Sequence, residues 1–478
     1  MSKLITLLFL FICWDAAAAV YYVEDKSGST NNKADGGATA WSNAQSESTP
    51  CSAGTAMARA AAGDTVRFLD GQYELIDDNG NYEIPALSPS NSGTSGSPIV
   101  FMSDTDNGAN LHGIGDSAQA FTSNLIGSYL QDYIVWDGFE LTAVNSAETD
   151  TIWATVRAQG ASGDWINGFT LKNCKLSGKA HSYGYLGYNN AGIFMEYTTS
   201  TTVENNEFYG FRESSNSQNN AAIESYHSDY ISVKNNYINN ATIGVYLKVN
   251  ADNCVVENNF IYDTHWGIWS LSTNLNDSDS NTFRNNIIAE YGADGISTKP
   301  DDENYRSNDT SIYNNTIYDS GSGTGIWVGI SDASNHSNIY NNIVVSARSM
   351  TTGSQDKHIE TCDHNQWSAS VSILAHEYET NQATYTSLSS WQSSGELYDD
   401  SNPGSGSLSS DPQFVAASGN RDTVEEFALA VGSPCLGAGR SSADIGADYL
   451  TVGIDAQGES PGAGELTAPT NLTATKVE

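Results

Sequence analysis

Basic residues are scarce in this 478-residue chain: 20 Lys and Arg stand against 57 Asp and Glu, a formal net charge of −37. So acidic a surface repels a phosphate backbone, which makes nucleic acid a poor partner. Cysteine is sparse as well, six in all, with no CxxC spacing for a metal. Five of these, Cys51, Cys174, Cys254, Cys362 and Cys435, form an odd and scattered set rather than a disulfide framework, leaving a single bridge open. Cys174 and Cys254 lie in strand-like surroundings and are expected to be buried, small and apolar. Beyond the N-terminus no run is long and apolar enough to insert in a bilayer. Ser/His/Asp triads, phosphate-binding loops and zinc motifs are also absent.

The N-terminus itself reads as an export signal over residues 1–19. Lys3 is the positive start, Leu4 to Cys13 the apolar run, and Ala16 to Ala19 the small-residue cleavage zone. The mature chain is expected to begin near Val20 and to work outside the cytoplasm, extracellular or periplasmic. An acidic surface suits such a soluble protein, and a monomer is expected.

One short phrase recurs through residues 190–345. It appears as Val203-Glu204-Asn205-Asn206, Val233-Lys234-Asn235-Asn236, Val256-Glu257-Asn258-Asn259, Phe283-Arg284-Asn285-Asn286, Ile312-Tyr313-Asn314-Asn315 and Ile339-Tyr340-Asn341-Asn342. The second Asn returns at intervals of 30, 23, 27, 29 and 27 residues. Each repeat carries a second phrase that starts on a small residue, at Gly192, Ala222, Gly244, Gly267, Gly295 and Gly325. Alternation inside each phrase gives an inward and an outward face. A unit of about 25 residues cannot bury its apolar face alone, whereas stacked units can. The pattern therefore predicts an all-β parallel β-helix, one coil per repeat, with coils about 4.8 Å apart. Stacked Asn side chains are expected to bond from coil to coil and to tolerate the left-handed backbone of sharp corners. A helical run over 55–62 is expected to plug the N-terminal end of the solenoid. Residues 346–410 lose the repeat and are expected to form an excursion over one face.

Ala62-Gly63-Asp64-Thr65-Val66-Arg67-Phe68-Leu69-Asp70-Gly71-Gln72-Tyr73 resembles the opening of secreted bacterial proteins of the pectate-lyase-like superfamily. Asp411-Pro412-Gln413-Phe414, Gly432-Ser433-Pro434-Cys435 and Asp444-Ile445-Gly446-Ala447 are similar to their closing segment. The resemblance implies a right-handed parallel β-helix over 20–452, in a superfamily of lyases, hydrolases, epimerases and non-enzymes. Residues 453–468 read as a linker. Residues 469–478 resemble the start of a fibronectin type III module.

Aligning the second phrases defines two outward columns. One holds Phe194, Glu224, Tyr246, Trp269, Ser297 and Trp327; the next holds Glu196, Tyr226, Lys248, Leu271, Lys299 and Gly329. Acids, lysines and aromatics together suggest a groove for an acidic polysaccharide, with Trp269, Trp327, Tyr226 and Lys299 binding sugar. β-Elimination on a uronate needs a neutralised carboxylate, a base for the C5 proton and an acid for the leaving oxygen. Lys248 is the expected base, because crowding by rings favours the uncharged amine a base requires. Tyr246 or Tyr226 is the expected acid, with His227 a further candidate. Glu196 and Glu224, on adjacent coils, are a candidate Ca²⁺ pair. β-Helix lyases of the alginate and chondroitin type use groove acids on Ca²⁺ with a Lys base. This sequence departs from them in showing no Arg in either column. Asp294-Gly295-Ile296-Ser297-Thr298-Lys299 resembles a phrase of calcium-dependent pectate lyases, and Asp301-Asp302-Glu303-Asn304 follows it. The alternatives are inverting hydrolysis by Glu196 and Glu224, for which no apolar pocket is visible, and a non-catalytic sugar-binding solenoid.

Overall fold

The computed structural model describes residues 18–24, 40–75, 84–113, 124–142, 154–178, 190–212, 220–272, 278–299, 309–329, 337–352, 359–368, 373–377, 384–394, 404–416 and 421–453. The export signal up to residue 17, the acidic run Asp301–Asn304, the linker from residue 454 and the fibronectin-like start lie outside them.

Each Asn phrase is preceded by a short strand. Thr202–Glu204, Ser232–Lys234, Val255–Glu257, Thr282–Arg284, Ser311–Tyr313 and Ser337–Tyr340 pair in parallel, each with the next. They belong to a 12-stranded sheet that runs from Val20–Val23 to Ile359–Asp363. A second sheet, of 19 strands, carries the small-residue phrases. Its described pairings are parallel except that of Ile373–Glu377 with Thr384–Tyr385. Val203, Val233, Val256 and Phe283 from the first sheet meet Ile193, Ile223, Val245 and Ile268 from the second in one continuous core. The architecture is the right-handed parallel β-helix.

The paired Asn divide two tasks. The first of each pair, from Asn205 to Asn341, turns the corner in the left-handed region at φ of +52° to +58°. The second points inward and builds a ladder. Asn206, Asn236, Asn259, Asn286, Asn315 and Asn342 each donate from Nδ2 to Oδ1 of the next at 2.9–3.0 Å, ending on Asn365. The ladder thus reaches one coil beyond the recognisable phrases. His364 takes the left-handed corner there, at φ +49°.

That extra coil corrects the expectation for 346–410. Arg348–Thr352, Ile359–Asp363 and Gln366–Trp367 continue the two sheets. The helix Leu388–Ser394 inserts Trp391 into the core, edge-on to Trp367 at 5.8 Å. These described strands and the Trp391 helix belong to the stack and its core. Near the other end the expected helix spans Ala53–Arg59, beginning two residues and ending three residues earlier than read. Ser52 caps it by accepting from Thr55 N, and Ala53, Ala56 and Met57 join the core.

The glycines that open the second phrases stand where neighbouring coils come close. A Cβ on Gly244 would lie 2.5 Å from the Gly267 carbonyl and 2.8 Å from Ile261. Beyond the last coil the chain turns back along the solenoid. Gly446 N donates to the Asn341 carbonyl, Asp448 N to Asn285 Oδ1 and Gly453 N to the Asn258 carbonyl. This strap buries Phe414, Phe427 and Ile445 against Phe260, Ile287 and Ile343. All five described cysteines are buried, and no disulfide joins any two of them.

Candidate functional site

The first outward column forms as read, and the second forms as far as Leu271; Lys299 and Gly329 follow the ends of their strands at Ser297 and Val328. Arg157, Phe194, Glu224, Tyr246, Trp269, Ser297 and Trp327 occupy consecutive register positions across neighbouring strands. Gln159, Glu196, Tyr226, Lys248 and Leu271 run beside them. The apolar members lie outside the main core, in two separate clusters. One joins Tyr246, Trp269 and Leu271 to Trp266; the other joins Phe194 to Tyr226. Glu196, Glu224, Tyr246, Lys248 and Trp269 therefore share one face.

Arg157 was not found from the sequence. Its strand, Ala154–Gln159, has a small first residue and an inward Val156, but a long insertion before residue 190 breaks the spacing. Arg157 is 3% exposed. Its Nη2 donates to Glu196 Oε2 at 3.1 Å, and its Nε to Gln159 Oε1 at 2.9 Å. Its guanidinium carbon lies 5.0 Å from the Phe194 ring centroid. The cation missing from the columns thus comes from the coil before them.

Glu224 lies between Phe194 and Tyr246 and is 0% exposed. Neither carboxyl oxygen has a hydrogen-bond partner among the described residues. Burial pushes this carboxyl up to about 8; Lys248 and Arg157 pull against that and Glu196 adds to it. The apolar pocket that the sequence did not reveal is therefore present, made by rings one coil to either side.

Tyr246 and Trp269 depart from the expected open sugar platform. They are 1% and 5% exposed, stacked at 5.2 Å, and Trp269 Nε1 donates to the Lys299 carbonyl. Half-buried Trp266, 5.1 Å from Trp269, is the more open ring. Lys248 Nζ lies 5.3 Å from the Tyr246 ring centroid and 6.0 Å from that of Tyr226. Tyr226 is half-buried, and burial raises its phenol, with Glu196 and Tyr197 adding to the rise. Of the two candidate phenols Tyr226 has the access. His227 sits at the strand end with φ +50°, stacked on Tyr197 at 5.3 Å, and burial lowers its imidazole. Further along, Lys299 Nζ stands 4.7 Å over the half-buried Trp327 ring. Asp294 is pushed up to about 6 by burial, against the pull of Lys299, Thr324 and Arg348.

The donors fit a calcium ion poorly. Glu196 is ion-paired with Arg157, and Glu224 favours its proton, which a divalent cation would have to displace. Among the described residues no group of three or more His, Cys, Asp or Glu is placed to hold a metal.

Residues 159–344 match the family model described as a right-handed beta helix region. No curated protein matches the chain by sequence. Among solved structures, the chain is similar to pectate lyase Pel9A at 14% identity, with 90% of this chain and 96% of that one covered and a TM-score of 0.54. It also overlaps a GH136 lacto-N-biosidase from Eubacterium ramulus at 13% identity, over 82% and 67% of the two chains, with a TM-score of 0.48. A rhamnogalacturonan lyase is 9% identical over 91% of this chain and all of that one, with a TM-score of 0.49. At these identities the likeness to Pel9A speaks for the fold.

Proposed function

We propose that this chain is an exported, monomeric, carbohydrate-active β-helix that cleaves a uronate-containing polysaccharide by β-elimination. The observation that carries this reading is the gathering of Arg157 and Lys248 on one face of a chain with net charge −37. With Glu224 protonated, the patch sets two cations against the single carboxylate of Glu196, which favours an anionic ligand. Arg157, on a strand three coils before that of Lys248, supplies positive potential along the acidic chain. Lys248 Nζ, once its own proton has passed to solvent, takes the C5 proton as the C4–oxygen bond breaks and the C4–C5 double bond forms. The Tyr226 hydroxyl gives its proton to the leaving oxygen. The lyase and hydrolase among the similar structures agree with a carbohydrate substrate. Among the described residues no helix is long and apolar enough to cross a membrane.

Glu224 favours a second reading, inverting hydrolysis. A carboxyl raised to about 8 stays protonated at neutral pH, as a general acid must, while ion-paired Glu196 would act as base. One coil and two residues separate them, a diagonal of roughly 7–8 Å, which suits inversion. Product analysis on a panel of uronate and neutral polysaccharides separates the readings. Elimination gives ultraviolet absorbance from unsaturated sugar ends. Hydrolysis gives reducing ends without it. Retention on a polysaccharide gel without products would leave a binding protein.

A further inference from the structure

The outward face carries a second polar cluster that the elimination chemistry does not use. Asp294, Thr324 and Arg348 stand in register on three successive strands. Ser297, Trp327 and Thr351 form the adjoining column. Trp266, Trp269 and Leu271, on the intervening strand, separate this cluster from Lys248. Its cations are arranged for a ligand. Lys299 is exposed, with Nζ 4.7 Å over the Trp327 ring. Arg348 Nε and Thr351 Oγ1 are buried with no hydrogen-bond partner among the described residues. A buried donor left unmade is costly, and a ligand oxygen would recover that cost.

We propose that Lys299, Trp327 and Arg348, with Thr351 beneath them, form a second subsite for an acidic sugar. This rests on the reading of the Lys248 face as the site of an acidic polysaccharide. Lys299 follows a strand two coils beyond that of Lys248, and Arg348 lies four coils beyond it, roughly 10 and 19 Å along the stack. A pyranose advances its chain by close to one such spacing. An occupant of both sites is therefore a run of about five sugars, lying along the solenoid axis and crossing the strands. Trp327 offers a ring edge or face to the sugar C–H groups, and the two cations meet its carboxylate. The protein is thereby selective for length as well as charge.

The test is calorimetric binding of the full chain to size-graded oligouronates, from dimer to octamer, with the Lys299→Ala/Arg348→Ala double variant alongside. The wild type should gain affinity steeply near five units. The variant should lose ~tenfold or more on long oligomers, the worth of one or two charged hydrogen bonds, and nothing on dimers. A Lys299→Gln variant, retaining most of the side chain, should lose part of the same gain. Equal affinity at all lengths, a loss shared by dimers, or no binding by the wild type would overturn the subsite. Product analysis is independent of this result. Length-dependent binding without unsaturated ends sinks elimination and keeps the subsite; unsaturated ends without length dependence do the reverse.

Discussion

Glu224 joins the two chemistries at the scale of one residue. Its environment is made by sequence-distant neighbours: Phe194 lies on the strand before it and Tyr246 on the strand after. A carboxyl raised to about 8 has a definite effect on stability. Below the ordinary carboxylate range both folded and unfolded chains hold the proton, and no penalty arises. As pH rises from there to about 8 the unfolded chain loses the proton first, so stability falls; above 8 the loss is constant. Glu224→Gln removes that titration. It should melt with the wild type near pH 4 and above it near pH 8, by a difference on the order of a few kcal/mol. Activity on the same variant separates the readings. Hydrolysis with Glu224 as acid predicts a loss of about 100-fold or more, and elimination predicts retained unsaturated product.

Strand by strand, the fold was open to reading because its repeat is short and polar residues mark its corners. The second Asn of each pair showed the stack directly. Arg157 and the Asn365 coil were hidden for one physical reason: a loop of any length can leave a coil without disturbing its register, so spacing fails where packing holds. The burial of Tyr246 and Trp269 was hidden differently, since period-two alternation tells out from in but not what lies over the outer face. Charges on the first sheet add a register device. Asp137, Lys172, Glu204, Lys234, Glu257 and Arg284 alternate in sign on successive strands, with pairs at 3.2, 2.8 and 2.6 Å. Here most of the few basic residues near the repeats pair with an acid on a neighbouring strand. The two Asn roles predict opposite sensitivities. Asn236→Ala strands the Asn206 donors and should cost on the order of 3 kcal/mol. Asn235→Gly keeps the corner at φ +55° and should cost about 1 kcal/mol or less. Urea denaturation of the pair checks both.

On the scale of the whole molecule, the strap and the groove lie on different parts of the solenoid surface. The strap from Phe414 to Val452 buries an outer apolar stripe at Phe260, Ile287 and Ile343. The columns from Arg157 to Trp327 stand further along the same strands, past the small-residue positions. One stretch of the second sheet is thus closed by the chain itself, and the other presents its cations and half-buried rings. The account depends on an acidic glycan lying along that second stretch with one uronate at Lys248. A crystal structure of the Lys248→Ala variant soaked with a hexauronate tests this most directly. It should show the glycan parallel to the stack, a carboxylate on the Arg157 side and C5 of that sugar facing the vacated amine position. A glycan bound on another face, or one whose C5 points away from residue 248, would contradict the account.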